Sequence, residues 1–284
     1  MAKGNDGNYL QHSVEVAIAL HLTKLSELPA SRWPPSGGFP PPAVQGVLHL
    51  ALTHGMAPFE PCGKPPASRN RELLQKALQA AQNPPASGES PIVAAYRATK
   101  ASLDRYPNTG ELLAAMIGRG RLSGGITEID AQKHAKLVEV WSGSGVTAVN
   151  SSWRSEVRPG GVLSCPATLR APWFLAADPM TFREDRYADD DQLYRADFSR
   201  VSTTLKGFVA SGQPGVAALF VYAVRPDVRP QFWTFADDLA ANSGTSAASC
   251  WVTHQDGKRN LAALLYTGFV LPPCWLPDGV RPDR

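Results

Sequence analysis

Pro172-Trp173-Phe174-Leu175-Ala176-Ala177-Asp178-Pro179-Met180-Thr181-Phe182 is the stretch on which the reading of this chain turns. It begins as an apolar run with no polar alternation, the pattern of a strand buried on both faces of a parallel sheet. The run stops on a carboxylate and a proline, and proline has no N–H to give to a ladder. Asp178 therefore falls at the carboxyl end of a central strand, where open α/β sheets take their ligands. An aspartate there also serves to cap an irregular turn, and the residues alone leave both readings open.

Working outward, other segments repeat the same rhythm. Val44 to Leu52 reads as a first buried strand running into Thr53-His54-Gly55-Met56-Ala57-Pro58. Gly55 allows close backbone approach to a cofactor, although Pro58 removes a donor that such a loop would present. Leu122 to Ile129 is a second strand ending in Glu128 and Asp130. A carboxylate in that place accepts both hydrogen bonds of a ribose diol, and Glu128 is the candidate, while Asp130 caps the helix predicted over Ala131 to Trp141. Val146 to Val149 is a third strand, followed by Asn150-Ser151-Ser152. Beyond Asp178, a helix is predicted over Leu193 to Phe208, a strand over Gly215 to Val224 and a helix over Pro230 to Ala240. Strands over Ala248 to His254 and Ala262 to Val270 close the series, joined by an Asp256-Gly257 turn of the hairpin kind.

The beginning of the chain is helical. Leu10, Val14, Ala17, Ile18 and Leu22 recur at helical spacing, giving a helix from about Asn8 to Leu28. His12 and His21 on it have no partners at metal spacing. Residues 29–42 are dense in proline and glycine, a surface connection. Residues 61–107 form a helical insertion after the first strand, with helices over Asn70 to Gln82 and Pro91 to Leu103. Asn108 or Thr109 caps a further helix near Gly110 to Ile117.

Composition bounds these readings. The chain has 284 residues, 43% of them apolar and 19% charged, which excludes global disorder and allows one large core. A net charge of +3 with scattered Lys and Arg makes no basic stripe. Cys62, Cys165, Cys250 and Cys274 are too widely spaced for a zinc site or a disulfide framework, so free thiols are expected. No apolar run approaches a membrane span and the first residues do not read as a signal peptide, so the expected location is the cytoplasm. The Asp189-Asp190-Asp191 run lacks the spacing of a metal loop. His54 near Cys62 and Ser249 near His254 show no orienting third group for nucleophilic hydrolysis. The expectation is one α/β domain over residues 1–284, with a mostly parallel seven-stranded sheet and a C-terminal antiparallel hairpin.

That layout, with Asp178-Pro179 after the fourth strand, resembles the Rossmann-like fold of class I S-adenosylmethionine-dependent methyltransferases. More narrowly it resembles the bacterial family that methylates an adenine amino group in 23S ribosomal RNA. Gly4-Asn5-Asp6-Gly7-Asn8-Tyr9-Leu10-Gln11-His12 follows that family's Gly-Asn-x-x-Asp-x-Leu-Lys-His opening, with Asn for Asp and Gln for Lys. Tyr106-Pro107-Asn108-Thr109-Gly110 is similar to its Tyr-Pro-Gly-Ser-Pro segment, Ile126-Thr127-Glu128 to its Leu-Thr-Glu, and Asp178-Pro179-Met180-Thr181 to its catalytic Asp-Pro-Pro-Tyr.

The resemblance implies S-adenosylmethionine as cofactor, with Asn5, His12, Thr53, His54, Gly55, Glu128 and Ser152 around it. It also implies that Asp178 and the carbonyl of Pro179 hold a target amino group in line with the methyl, and that an aromatic stacks on the base. The chain departs from the pattern at Ala51, where the family has an acid, and at Met180. The stacking aromatic is missing from its slot, with Phe182 one residue further on. Two expectations follow: a methyltransferase acting on RNA, DNA or another amino-bearing substrate, or a catalytically silent relative that binds a protein partner.

Overall fold

Trp173–Ala177 does form a strand, and its neighbours on both sides are strands too, which is why every residue in it is buried. The computed structural model describes residues 5–27, 46–53, 71–178, 182–183, 193–254, 256–271, 276 and 278–283. In chain order the elements are α1 (Asp6–Glu27), β1 (Leu48–Leu52), α2 (Glu72–Gln82), α3 (Pro91–Ala98), α4 (Thr109–Ile117), β2 (Leu122–Thr127), α5 (Ala131–Trp141) and β3 (Gly145–Val149). Then come α6 (Trp153–Glu156), β4 (Trp173–Ala177), the two-residue strands β5 (Phe182–Arg183) and β6 (Leu193–Tyr194), α7 (Phe198–Ala210) and β7 (Gly215–Val224). The series ends with α8 (Arg229–Ser243), β8 (Ser246–Thr253), β9 (Arg259–Thr267) and β10 (Arg281–Pro282).

The main sheet has eight strands in the order β10-β8-β9-β7-β4-β1-β2-β3. From β3 to β7 all pairings are parallel, while β9 lies antiparallel between β7 and β8. The chain runs outward from β1 through β2 to β3, then crosses back to lay β4 on the other side of β1. The reversal of strand order therefore falls between β1 and β4. The sheet has one strand more than the sequence predicts. The extra strand, β10, pairs with the outer edge of β8, and its Pro282 is tolerated because an edge strand needs no complete ladder.

Alternation along the central strands divides the core in two. Phe174 and Ala176 of β4, Leu48, Leu50 and Leu52 of β1 and Phe220 of β7 face α1 and the helices of the insertion. Trp173, Leu175, Ala51 and Leu219 face α7 and α8. Removing a ring such as Phe174 from water contributes about 2–3 kcal/mol. His49 points to the second face beside Phe208, and burial lowers its pKa to about 4.

Several boundaries differ from the sequence reading for local reasons. The helix predicted to Leu103 ends at Ala98, because Lys100 takes a left-handed conformation and Ala101 N bonds back to Tyr96 O, closing a Schellman turn without glycine. The helix predicted from Leu193 starts at Phe198: Leu193 pairs with Phe182, and Asp197 gives its carboxylate to Arg154 and to the amide of Tyr194. The second strand stops at Thr127, because Glu128 and Asp130 already belong to the turn into α5. Strand one starts at Leu48, residues 44 and 45 of its predicted range lying outside the described residues, and the last two strands each begin and end earlier than predicted. The hairpin turn is as expected, with positive φ at both Asp256 and Gly257. No helix of the described residues is long and apolar enough to cross a membrane.

Candidate functional site

Thr53, the first residue after β1, holds three strand tips together. Its amide donates to Ala176 O of β4 at 3.0 Å, and its hydroxyl oxygen accepts from the amide of Asp178 at 3.2 Å. The hydroxyl of Thr127, at the end of β2, donates to Thr53 O at 2.6 Å. A short polar side chain suits this place because it satisfies amides that would otherwise lose their partners where the ladders end. Asp178 and Glu128 consequently leave the sheet from the two strands flanking β1.

The carboxyl of Asp178 does not simply cap its own turn. Tyr222, near the end of β7, donates its hydroxyl to Asp178 Oδ1. The same hydroxyl lies 2.9 Å from Gln11 Oε1 of α1, and Gln11 Nε2 lies 3.3 Å from Glu15 Oε1. Thr109 at the start of α4 donates to Glu15 Oε2 at 2.6 Å. Burial pushes Asp178 up to about 7, with hydrogen bonding by Tyr222 and Gln11 pulling the other way. Burial also pushes Glu15 up to about 8, and the nearby Asp178 charge adds to that rise.

Two features keep Tyr222 in place. Gly7 lies against its ring, so that a Cβ there would sit 2.7 Å from Tyr222 Cδ1. Immediately after Tyr222 the strand bulges: Ala223 adopts φ 51, and its amide donates to the buried Asn260 side chain at 3.0 Å. The bulge leaves Tyr222 on the α1 face and turns Val224 to the opposite one.

The remaining predicted residues have defined places. Glu128 is 9% exposed, its Oε1 accepts from Asp130 N at 2.9 Å, and burial raises its pKa. Asn150 ties the tip of β3 to that turn by donating to Glu128 O and Ile129 O. Asp130 caps α5 as expected, accepting from Gln132 N and Lys133 N. Ser152 caps α6 by accepting from Arg154 N, and Asn5 caps α1 by accepting from Gly7 N and Asn8 N. His12 is buried in the core, stacked on Tyr106 and 3.1 Å from its hydroxyl.

Phe182 requires a correction. Expected to stack on a substrate base, it is 2% exposed and packs against Phe232 and Phe235 at 5.8 and 5.2 Å between ring centroids. A ring held in the α8 core presents no face to a base. Ala51, at the position of the family's acid, is likewise buried. His54, Gly55, Pro179, Met180, Cys62, Cys274 and the 189–191 acid run lie outside the described residues. Among the described residues no group of His, Cys, Asp or Glu has the arrangement of a metal site, and Cys165 and Cys250 are free thiols.

The sequence does not mark Gln11, Glu15, Thr109 or Tyr222 as site residues. The available signal was Glu15, a carboxylate inside an otherwise apolar helical pattern, whose side chain must find a polar partner if that face is buried.

No family model matches the chain, and no curated protein does. Among solved structures it is similar to LPL1258 from Legionella pneumophila str. Philadelphia 1, of family DUF519, at TM-score 0.60 and 12% identity, covering 94% of this chain and 86% of that one. It also matches precorrin-6y C5,15-methyltransferase from Geobacter metallireducens GS-15 at TM-score 0.29 and 12% identity, over 74% of this chain and 94% of that one. The mitomycin 7-O-methyltransferase MmcR matches at TM-score 0.31 and 13% identity, over 68% and 54%. Superpositions as loose as the last two carry no argument. The likeness to the Legionella protein extends over nearly the whole of both chains and shows a shared α/β fold.

Proposed function

We propose that the chain binds S-adenosylmethionine across the tips of β1, β2 and β4 and methylates an amino group, with adenine in RNA or DNA as the acceptor favoured by the sequence resemblance. The observation that carries this reading is Thr53, whose hydrogen bonds to Asp178, Ala176 and Thr127 gather the three tips at the reversal of strand order.

The residues present fit a nucleoside cofactor in two respects. Glu128 stands at the end of β2 with one carboxylate oxygen anchored by the Asp130 amide, so the group is held in a fixed direction for a ribose hydroxyl. Asp178 stands across β1 from it, half-buried, with its carboxyl oriented by Tyr222. The cofactor, when bound, supplies an electrophilic methyl group. Asp178 and the carbonyl of Pro179 accept the two N–H bonds of the acceptor and aim its lone pair, a task of orientation rather than of covalent chemistry. Thr53 keeps the Asp178 backbone from drifting away from β1.

Transfer of a radiolabelled methyl group tests the reading. Label from S-adenosylmethionine is expected in RNA, DNA or a small amino-bearing acceptor with the wild type, and is expected to vanish with Asp178→Ala.

A second reading rests on Phe182 and Ala51. With the aromatic packed in the core and no acid at the end of β1, the fold would serve as a binding protein for another protein. Absence of label from every acceptor class, in a sample that still binds the cofactor or a partner protein, favours that reading.

A further inference from the structure

Five side chains run in one line from the tip of β4 to the first turn of α4. Asp178 meets the Tyr222 hydroxyl, that hydroxyl meets Gln11 Oε1 at 2.9 Å, and Gln11 Nε2 meets Glu15 Oε1 at 3.3 Å. Thr109 closes the far end by donating to Glu15 Oε2 at 2.6 Å.

A phenol has one O–H, and an amide has donors at one end and an acceptor at the other. Suppose the Tyr222 proton goes to the Gln11 carbonyl. The contact between Tyr222 and Asp178 then holds a proton only if the Asp178 carboxyl supplies it. Suppose instead that the Tyr222 proton goes to Asp178. The Tyr222 oxygen must then face the Gln11 NH2, with the amide turned over, a sense that heavy-atom positions do not distinguish. Gln11 Oε1 now faces Glu15, and that contact holds a proton only if Glu15 supplies it. Either sense needs one carboxyl proton, and the two senses put it at opposite ends.

We propose that Asp178 and Glu15 hold one proton between them, and that the sense of the Gln11 amide decides which of the two is charged. With the proton on Glu15, Asp178 is a carboxylate that accepts N–H bonds from an amino group. With the proton on Asp178, that proton is engaged with the Tyr222 oxygen and the carboxyl is neutral, a weaker acceptor for an amino group. Gln11 is thus a positioning residue for Asp178, and Glu15 is the remote carboxyl that sets its charge.

The surroundings agree with a single negative charge. Asp178 is faced by Tyr222 from β7, by Gln11 and Glu15 from α1 and by Thr53 from β1. Glu15 is faced by Gln11, Asp178 and Tyr222 and by Thr109 from α4. No lysine or arginine among the described residues enters the line. Burial raises the pKa of both carboxyls, and it raises that of Tyr222 well above the ordinary phenol range, so the phenol keeps its proton. The proton count stands whether or not the chain transfers methyl groups.

The test is a carbon-13 NMR titration of the Asp and Glu side-chain carboxyls of the full chain without cofactor, with Asp178 assigned by the loss of its signal in Asp178→Asn. In the wild type, the Asp178 and Glu15 carbons are each expected to show two titration steps, because each senses the other's proton. In Glu15→Gln the new amide donates to Gln11 and locks the sense that leaves Asp178 charged, so its midpoint should fall by about one pH unit or more. An Asp178 midpoint unmoved by Glu15→Gln overturns the proposal. So does a wild type in which both carboxyls are ionised at pH 5, a result that needs no variant to fold.

Discussion

The hydroxyl of Tyr222, one residue before the bulge in β7, shares a hydrogen bond with the carboxyl of Asp178 at the end of the neighbouring strand β4. Asp178 is thereby pinned from two sides, its backbone amide by Thr53 and its side chain by Tyr222. Tyr222→Phe keeps the ring and removes the donor. Since that hydrogen bond holds the Asp178 pKa down against burial, its loss should raise the Asp178 midpoint above about 7. The unmatched polar atoms left behind should cost about 1–3 kcal/mol in urea unfolding at pH 7. An unchanged midpoint would mean that the phenol does not orient the carboxyl.

Glu15 makes stability depend on pH in a stated direction. Its folded pKa, about 8, lies above that of the unfolded chain, so between the two values the folded state binds more protons. Stability is therefore full at low pH and is lost as pH rises toward 8. Glu15→Gln keeps the contacts and abolishes that loss. Unfolding midpoints should rise by a few kcal/mol equivalent at pH 8.5 and change little at pH 5, which paired denaturation curves would read.

His49 acts at the other end of the scale. Buried beside Phe208, it has a folded pKa near 4, below the ordinary value of 6.5. Stability is complete above the ordinary value and falls as pH drops toward 4, because the unfolded chain takes up the proton first. The loss at pH 4 is on the order of 3 kcal/mol. His49→Leu should flatten the acid limb of a stability profile, and an acid limb as steep as before would contradict the assignment.

Gly7 discriminates crowding from helix propensity. Alanine within a helix is ordinarily favoured over glycine by about 1 kcal/mol. Here the added Cβ would stand 2.7 Å from the Tyr222 ring and 2.9 Å from Asn5 Oδ1. Gly7→Ala should therefore destabilise, by about 1–3 kcal/mol for an overpacked site. A thermal midpoint that rises would show that Tyr222 moves freely.

These residues also mark how far the sequence can be read. The helix at 131–141 is predicted to its ends because its cap, Asp130, is local and its apolar positions are periodic. The same holds for β7, a long uninterrupted apolar run, and for Asp256-Gly257, where two positive φ values suit the residues present. The start of α7 differs from the predicted one because Leu193 and Asp197 answer to partners far along the chain, Phe182 and Arg154. Phe182 differs from expectation for the same reason, since only the packing of α8 shows its ring to be a core group. At the site, Asp178 and Glu128 were legible as polar residues ending apolar strands. Tyr222 and Gln11, separated by 211 positions, share no local pattern, and only the layering of α1 on β7 brings them together.

The most direct measurement is a calorimetric titration of the wild-type chain with S-adenosylmethionine, repeated with Glu128→Ala. Strand tips gathered by Thr53 around one nucleoside site predict saturable binding at a one-to-one ratio, weakened at least about tenfold by Glu128→Ala, the loss of about one charge-assisted hydrogen bond. No heat of binding at millimolar cofactor, or binding indifferent to Glu128→Ala, would contradict that account.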